Sequence, residues 1–407
     1  MAQHKPFSLP AWARTLWQTT ARTSSDKTVT TEKSPTVPPI VAAKPRRLLS
    51  IDALRGFDML LIAGGGTFLV RLEGKTGLAW VDWIAAQLEH PAWHGFTFYD
   101  FIFPLFLFIA GVSLPFSLSK GLSSGMEKTT IYRKAFRRML ILIALGILYK
   151  NAPIPFFEPS EIRLGSVLGR IGIAGFVATL LFLNFSATGR MLWVAGILLL
   201  YYAALFLIPV PGYGAGDLSI EGNLVGWFDR TFLPGRLLQG NYDELGLLTQ
   251  FPAICLTILG AFAGEILRSS RTDSQKIQLM LAAGLAGIVL SLLWNFHFPI
   301  NKHLWSSSFI LLTGGMAFVF MAAFFWIIDV MQYRSWAFFF KVIGMNSLTV
   351  YLAYRFIDFS QTAEMLFGGL YAPLEESWHG VFNALGALGL VWAFLYILYR
   401  NKLFLKV

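Results

Sequence analysis

The chain alternates long apolar runs with short polar loops, and the runs are near the 20 residues that a helix needs to cross a bilayer. About ten such spans are expected. The first five lie near Ala53–Val70, Phe98–Leu118, Phe136–Lys150, Gly165–Phe185 and Met191–Val210. The second five lie near Leu247–Leu267, Ile277–Phe296, Trp305–Val330, Phe338–Phe356 and Val381–Tyr399. The pattern therefore predicts an all-α, polytopic integral membrane protein. Residues 1–48 break the pattern, being rich in Ser, Thr, Pro and basic residues. They read as a disordered, basic cytoplasmic tail ahead of a membrane domain over 49–407.

Composition agrees with the membrane reading. Hydrophobic residues make up 55% of the chain and charged residues only 14%, well below the share of a soluble domain. A net charge of +10 would suggest nucleic acid in a soluble protein. Here the basic residues cluster in alternate loops, which is an orientation signal instead, and no nucleic-acid partner is expected. Six Lys or Arg fall within Lys120–Arg138, and further basic groups mark Arg268–Lys276, Arg334–Lys341 and Arg400–Lys406. The intervening loops carry acids, among them Glu158, Glu161, Asp217, Asp243, Glu244 and Glu375. An even number of spans with both termini cytoplasmic satisfies every loop. The single cysteine, Cys255, excludes an intramolecular disulfide.

On this topology His90, His94, His297, His303 and His379 gather on the non-cytoplasmic side. His90 is the strongest candidate for chemistry, because it stands among Trp80, Trp83 and Trp93 in the loop entering the second span. An imidazole titrates near about 6.5 and can accept a proton or attack an acyl carbonyl at neutral pH. It needs an orienting carboxylate. Asp100 is the nearest partner; Asp58 lies roughly 18 Å short of the far end of its helix, counted to Val70. Asp58 can reach the imidazole only if Gly64-Gly65-Gly66 breaks that helix or the loop folds back into the bundle. No histidine pair has helical metal-ligand spacing, so no metal is expected.

Asp52, Arg55 and Asp58 share one helix face. They read either as a self-neutralising trio or as a cationic group that receives a phosphorylated donor from the cytoplasm. Arg170 falls within the bilayer and must pair with an acid or bind an anion. Asn346 and Ser347 lie inside the ninth span, where interhelical hydrogen bonding and substrate contact explain them equally.

At these residues the chain resembles a known family. SIDALRGFDM, HPAWHGFTFYDFIFPLFLFIAGVSLPFSL, LPGRLLQGNYDELGLLTQFPAI, FPINKHLWSSSFILLTGG and IGMNSLTVYL follow in order from about Ser50. Together they are similar to the heparan-α-glucosaminide N-acetyltransferase family, most closely to its bacterial branch of N-acetylglucosamine-related membrane proteins. Lysosomal members move an acetyl group from cytoplasmic acetyl-CoA to glucosamine on the lumenal side. Their active-site histidine lies in a His-x-x-Trp-x-Gly-(Phe/Leu)-Thr pattern, which here begins at His90; Asp100, Asp52 and Arg55 match as well.

The resemblance implies a multi-pass protein of the bacterial inner membrane that uses acetyl-CoA as co-substrate. Its acceptor would be an amino sugar or glycan on the periplasmic side, with His90 as base or acetyl-accepting nucleophile, oriented by Asp100 or Asp58. Asp52, Arg55 and Arg170 are then the expected donor-binding groups. Trp93, Tyr242, Asp243, Asn301, Lys302, Trp305, Ser307 and Asn346 would line the acceptor site, with Trp305 stacked on the sugar. The expected partners are acetyl-CoA, that acceptor and the lipid bilayer, with a homodimer left open. The competing reading is a transporter of N-acetylglucosamine or a cell-wall fragment, since intramembrane charges and a broken helix suit a permeation path. Against it, SIDALRGFDM has no counterpart in the second half of the chain.

Overall fold

Each expected apolar segment is helical in the computed structural model, which describes residues 48–155 and 157–405. The expected tail over 1–48, Leu48 apart, and Lys406 lie outside the described residues. Among those described there is no strand, only an isolated bridge between Val210 and Gly214.

Helix α1 (Leu49–Ile62) begins under Asp329, whose carboxylate accepts from the Leu49 and Ser50 amides at 3.3 and 3.0 Å. A carboxylate there satisfies amides that have no helical acceptor and complements the helix dipole. The helix stops at the glycine run, where Gly64 has φ +72°, and α2 (Thr67–Val70) and α3 (Ala79–Gln87) follow. Thus the first expected span, Ala53–Val70, is broken, and α1 alone is 14 residues long, about 21 Å. Next, α4 (Phe98–Val112) continues into α5 (Leu114–Ser123), then α6 (Lys128–Asn151), α7 (Val167–Asn184) and α8 (Ala187–Leu207). A short α9 (Leu224–Phe232) precedes α10 (Gln250–Arg268) and α11 (Asp273–Asn295). Helix α12 (Ser307–Phe324) ends in a π-helical turn over Phe325–Val330. The last elements are α13 (Ala337–Met345), α14 (Ser347–Phe356), α15 (Phe359–Tyr371) and α16 (Glu376–Arg400).

Among the described residues, seven helical runs are long and apolar enough to cross a membrane. They are Phe98–Ser123, α7, α8, α10, α11, Ser307–Val330 and α16. The pair α13–α14, bent by 69° at Asn346, makes an eighth if it counts as one span. The two other expected segments are α1, which the glycine run shortens, and α6, which carries Lys128, Arg133, Lys134, Arg137, Arg138 and Lys150.

Burial separates inner from outer helices. Two-thirds of Phe98–Ser123 and of α10 is buried (67% each), against 17% of α11 and 22% of α16. The inner pair touches backbone to backbone: a Cβ on Gly111 would lie 2.0 Å from the Thr257 carbonyl oxygen, and one on Gly260 1.9 Å from that of Phe108. Lipid offers apolar side chains no advantage in meeting each other, so close backbone approach over small residues is what holds such helices together.

Gly260→Val therefore forces α4 and α10 apart and should destabilise the protein by about 1–3 kcal/mol or more. Heating with a thiol-reactive dye, which reports exposure of the buried Cys255, should give a lower midpoint for this variant. Gly389→Ala, where an added Cβ meets nothing within 4 Å, should leave the midpoint unchanged.

Candidate active site

The site is built on the first turn of α4. Thr97 is the N-cap, and its amide donates to Asp100 Oδ2 at 3.1 Å. The other carboxylate oxygen, Oδ1, faces His90 Nδ1 at 2.7 Å. A carboxylate only accepts, so Nδ1 carries the imidazole proton and Nε2 keeps its lone pair. The His90 side chain is 40% exposed and that of Asp100 is 0% exposed, so the reactive ring is reachable while its partner is shielded. The connecting loop is tied down at several points. Tyr99 packs on the imidazole (centroids 4.9 Å apart), Phe98 N donates to Gln87 Oε1 at 3.2 Å, and Gly95 N donates to Ile300 O at 3.0 Å. Gly95 has φ +125°, a conformation open to glycine.

The turn before α12 supplies the other wall. Lys302 Nζ lies 3.0 Å from His90 Nε2 and 3.4 Å from Nδ1. The ammonium can only donate, so at 3.0 Å it faces the Nε2 lone pair. Lys302 is also within 3.6 Å of Asp100 Oδ1 and 3.7 Å of Glu244 Oε2. Asn301 holds the turn by accepting from Leu304 N at 2.9 Å, and its Nδ2 meets His94 Nδ1 at 3.1 Å. Trp93 stacks on His303 with 5.3 Å between centroids, and its indole N–H donates to Leu218 O at 2.8 Å. Tyr242 OH pairs with His303 Nδ1 at 3.1 Å. Burial holds His303 below its ordinary range and pushes the Tyr242 hydroxyl up to about 12. Both remain uncharged at neutral pH.

His90, Asp100, Trp93, Tyr242, Asn301 and Lys302 are thus brought together. Other sequence-predicted residues stand apart. Asp243 is fully buried in a bidentate pair with Arg163, both distances being 2.7 Å. Ser307 is buried and donates to Leu198 O at 2.8 Å. Trp305 is 1% exposed, with the Arg170 guanidinium 4.3 Å above its ring, so no sugar stacks on it as expected from the sequence. Asn346 occupies the bend between α13 and α14. Asp58 is fully buried on α1, and its carboxyl has no hydrogen-bond partner among the described residues; Asp100, not Asp58, orients His90.

Asp52 and Arg55 lie at the other end of the same helices. Arg55 Nη1 is 3.6 Å from Asp52, and its Nη2 donates to Ser113 Oγ at 3.0 Å. Ser113 is thirteen residues along from Asp100, roughly 20 Å on a helix. A cavity of about 320 Å³ opens beside Arg55, Ser113 and Arg138 and extends to Phe106, Val167 and Tyr351. A second, of about 570 Å³, adjoins it across Arg138 and carries Lys134 and Arg137. Sequence reasoning gave Arg138 no role beyond the basic loop, although a basic pair running straight into the apolar stretch Met139–Ala144 was the signal. It also gave no role to Glu244, which links Lys302 to His303; nothing in its loop position marks that contact.

The family model described as "Heparan-alpha-glucosaminide N-acetyltransferase, catalytic" matches residues 47–293. The protein named heparan-alpha-glucosaminide N-acetyltransferase from Homo sapiens is 27% identical over 430 residues, covering 90% of this chain and 61% of that protein. Its namesake from Mus musculus is 27% identical over 424 residues, covering 89% of this chain and 60% of that protein. The chain therefore spans about 60% of the length of these curated relatives.

Two outcomes follow from the buried charges. Removing one partner of a buried pair strands the other, so Arg163→Ala should cost about 3–5 kcal/mol in unfolding free energy. Arg163→Lys should recover little, since an ammonium cannot reproduce the fork. Unfolding followed by tryptophan fluorescence tests both. Asp229, on α9, is held up at about 6, chiefly by burial. It binds its proton more tightly folded than unfolded, so its stabilising contribution is complete below the ordinary carboxylate range and is lost as pH rises through about 6. Asp229→Asn should remove that part of the pH slope between about 4 and about 6 in the same assay.

Proposed function

The chain belongs to the heparan-alpha-glucosaminide N-acetyltransferase family, and from that premise we propose that it is a membrane acetyltransferase that carries acetyl groups from cytoplasmic acetyl-CoA to an amino sugar or related glycan. In this reading it sits in a bacterial inner membrane with the acceptor on the periplasmic face. The observation that carries the proposal is the placement of the His90–Asp100 pair at one end of α4, with a cavity rising toward it from the Arg55–Arg138 end. A cavity of that shape suits a narrow acyl-pantetheine arm, and the basic groups at its mouth suit phosphates.

The chemistry follows from the tautomer. Asp100 accepts a hydrogen bond from Nδ1–H and leaves Nε2 with its lone pair, beside the Lys302 ammonium at 3.0 Å. That nitrogen removes a proton from the acceptor amine as it attacks the thioester, or itself attacks the carbonyl and hands the acetyl group on. Lys302, bridging Asp100 and Glu244, keeps the acidic groups around the imidazole neutralised. Trp93, Tyr242 and Asn301 then form the acceptor wall, where an aromatic face and polar edges match a sugar ring.

His90→Ala should cut acetyl transfer from labelled acetyl-CoA to glucosamine by about 10²–10⁴-fold, the usual contribution of a positioned base. Because His90 also donates to the buried Asp100, the unfolding midpoint should fall, so transfer is compared at a temperature where the variant is folded. Turnover at the wild-type rate in this variant would remove the catalytic assignment. The bent α13–α14 pair would also serve a transporter; counterflow of labelled N-acetylglucosamine in proteoliposomes, independent of CoA, would support that reading instead.

A further inference from the structure

Next to Lys302 along the chain lies a group of buried donors that the proposed chemistry leaves without a role. Arg170 and Trp305 are each 1% exposed. Arg170 Nε and Nη1 and Trp305 Nε1 have no acceptor among the described residues. Only Nη2 of Arg170 is engaged, by Thr249 Oγ1. The guanidinium lies 4.3 Å over the indole, and the Phe103 ring meets the same indole edge-on with centroids 5.5 Å apart. Of the nearby acids, Asp243 is committed to Arg163 and Glu244 to Lys302 and His303, while Asp229 accepts from the Leu247 amide and makes no hydrogen bond to Arg170 among the described residues. Nη1 carries two N–H bonds and Nε and the indole one each, so four buried N–H groups forfeit hydrogen bonds unless an oxygen acceptor visits them. The backbone at Trp305 has φ +50°, a left-handed conformation that a bulky residue holds only where its surroundings impose it.

Connectivity places these donors beside the cavity and one link from His90. Phe103 is one turn past Asp100 on α4, and the Trp305 amide donates to the carbonyl of Lys302, whose Nζ meets the imidazole. On the other side, the cavity is lined by Phe106, one turn beyond Phe103, and by Val167, Leu168 and Ile171, which bracket Arg170 on α7.

Resting on the acetyl-CoA reading, we propose that Arg170 and Trp305 form an oxyanion site whose free N–H groups bind the carbonyl oxygen of the acyl thioester. The attacking nitrogen forms a C–N bond with the carbonyl carbon, and the π pair of the C=O moves onto the oxygen. That oxygen is then an anion held by the guanidinium and the indole N–H. When the C=O re-forms, the C–S bond breaks, and the CoA thiolate leaves and takes the proton that His90 removed. Donors fixed in advance, in a buried site, favour the charged state over the neutral carbonyl and so accelerate this step.

The test uses the full chain in nanodiscs with acetyl-CoA labelled with carbon-13 at the acetyl carbonyl. Trp305→Phe removes one donor and keeps the ring on which Arg170 and Phe103 pack. In the wild type, the bound thioester C=O stretch should lie below its value in water. In Trp305→Phe it should move back up, with kcat reduced about 10²–10³-fold and acetyl-CoA affinity unchanged. An identical C=O band in wild type and variant would overturn the oxyanion site, even if turnover fell, and would leave a buried water or packing as the role of these groups. A fall in affinity equal to the fall in turnover would overturn it as well. No bound thioester band in the wild type would instead overturn the acetyl-CoA reading, and this inference with it.

Discussion

One buried carboxylate, Asp100, holds both the local fold and the candidate chemistry. Its Oδ2 satisfies an amide that the start of α4 would otherwise leave without an acceptor, and its Oδ1 fixes the tautomer and direction of His90. The two tasks are coupled. The capping bond fixes the side chain that the imidazole needs, and the imidazole together with Lys302 supplies the donors that a shielded carboxylate requires. This arrangement can be accurate only if α4 itself does not move. The helix is locked against α10 by backbone contact at Gly111 and Gly260, in the most buried layer of the molecule.

Several other buried ionisable groups are paired in the same way, Asp58 excepted. Arg163 with Asp243 and Arg190 with Glu265 are each joined at 2.7 Å, and Lys302 answers two acids at once. Charges that would be costly in a low-dielectric interior are tied to opposite charges. Against that background the incomplete bonding of Arg170 and Trp305 stands out, as does its location against Phe103, which is one turn along α4 from Asp100.

The helices were legible in the sequence because hydropathy and loop charge are local properties. Ten apolar segments were expected and each is helical; the break at Gly64–Gly66 was named as the condition on which α1 turned. The pairing of His90 with Asp100 was also legible, since ten residues separate them and a cap joins them. What was not legible depends on contacts between distant segments. Asp243 looked like a loop acid beside a tyrosine, yet it is bound to Arg163, eighty residues away in the chain. Trp305 looked like a platform for a sugar because tryptophan in a polar loop often is one, whereas its face is covered by an arginine from α7. Composition tells which side chains are costly to bury; only packing tells which partners relieve that cost.

The helix breaks and the cavity have a common cause. A chain that spans a membrane cannot leave backbone groups unpaired toward lipid, so non-helical segments at that depth must be covered by protein or border a cavity. Both breaks here obey that constraint. The end of α1 is bonded from the side by the Tyr354 hydroxyl, which donates to the Ala63 carbonyl, and the Asn346 amide at the bend donates back to Ile343 O at 2.9 Å. Ile62, just before the first break, and Met345 and Ser347, on either side of the second, all line the 320 Å³ cavity. Two unbroken helices at these places would pack along their whole length and fill it. Stopping α1 after 14 residues and turning α14 by 69° from α13 leaves room between them and α7. The interruptions that shorten these segments thus border the cavity that runs from Arg55 and Ser113 to Phe106 and Val167.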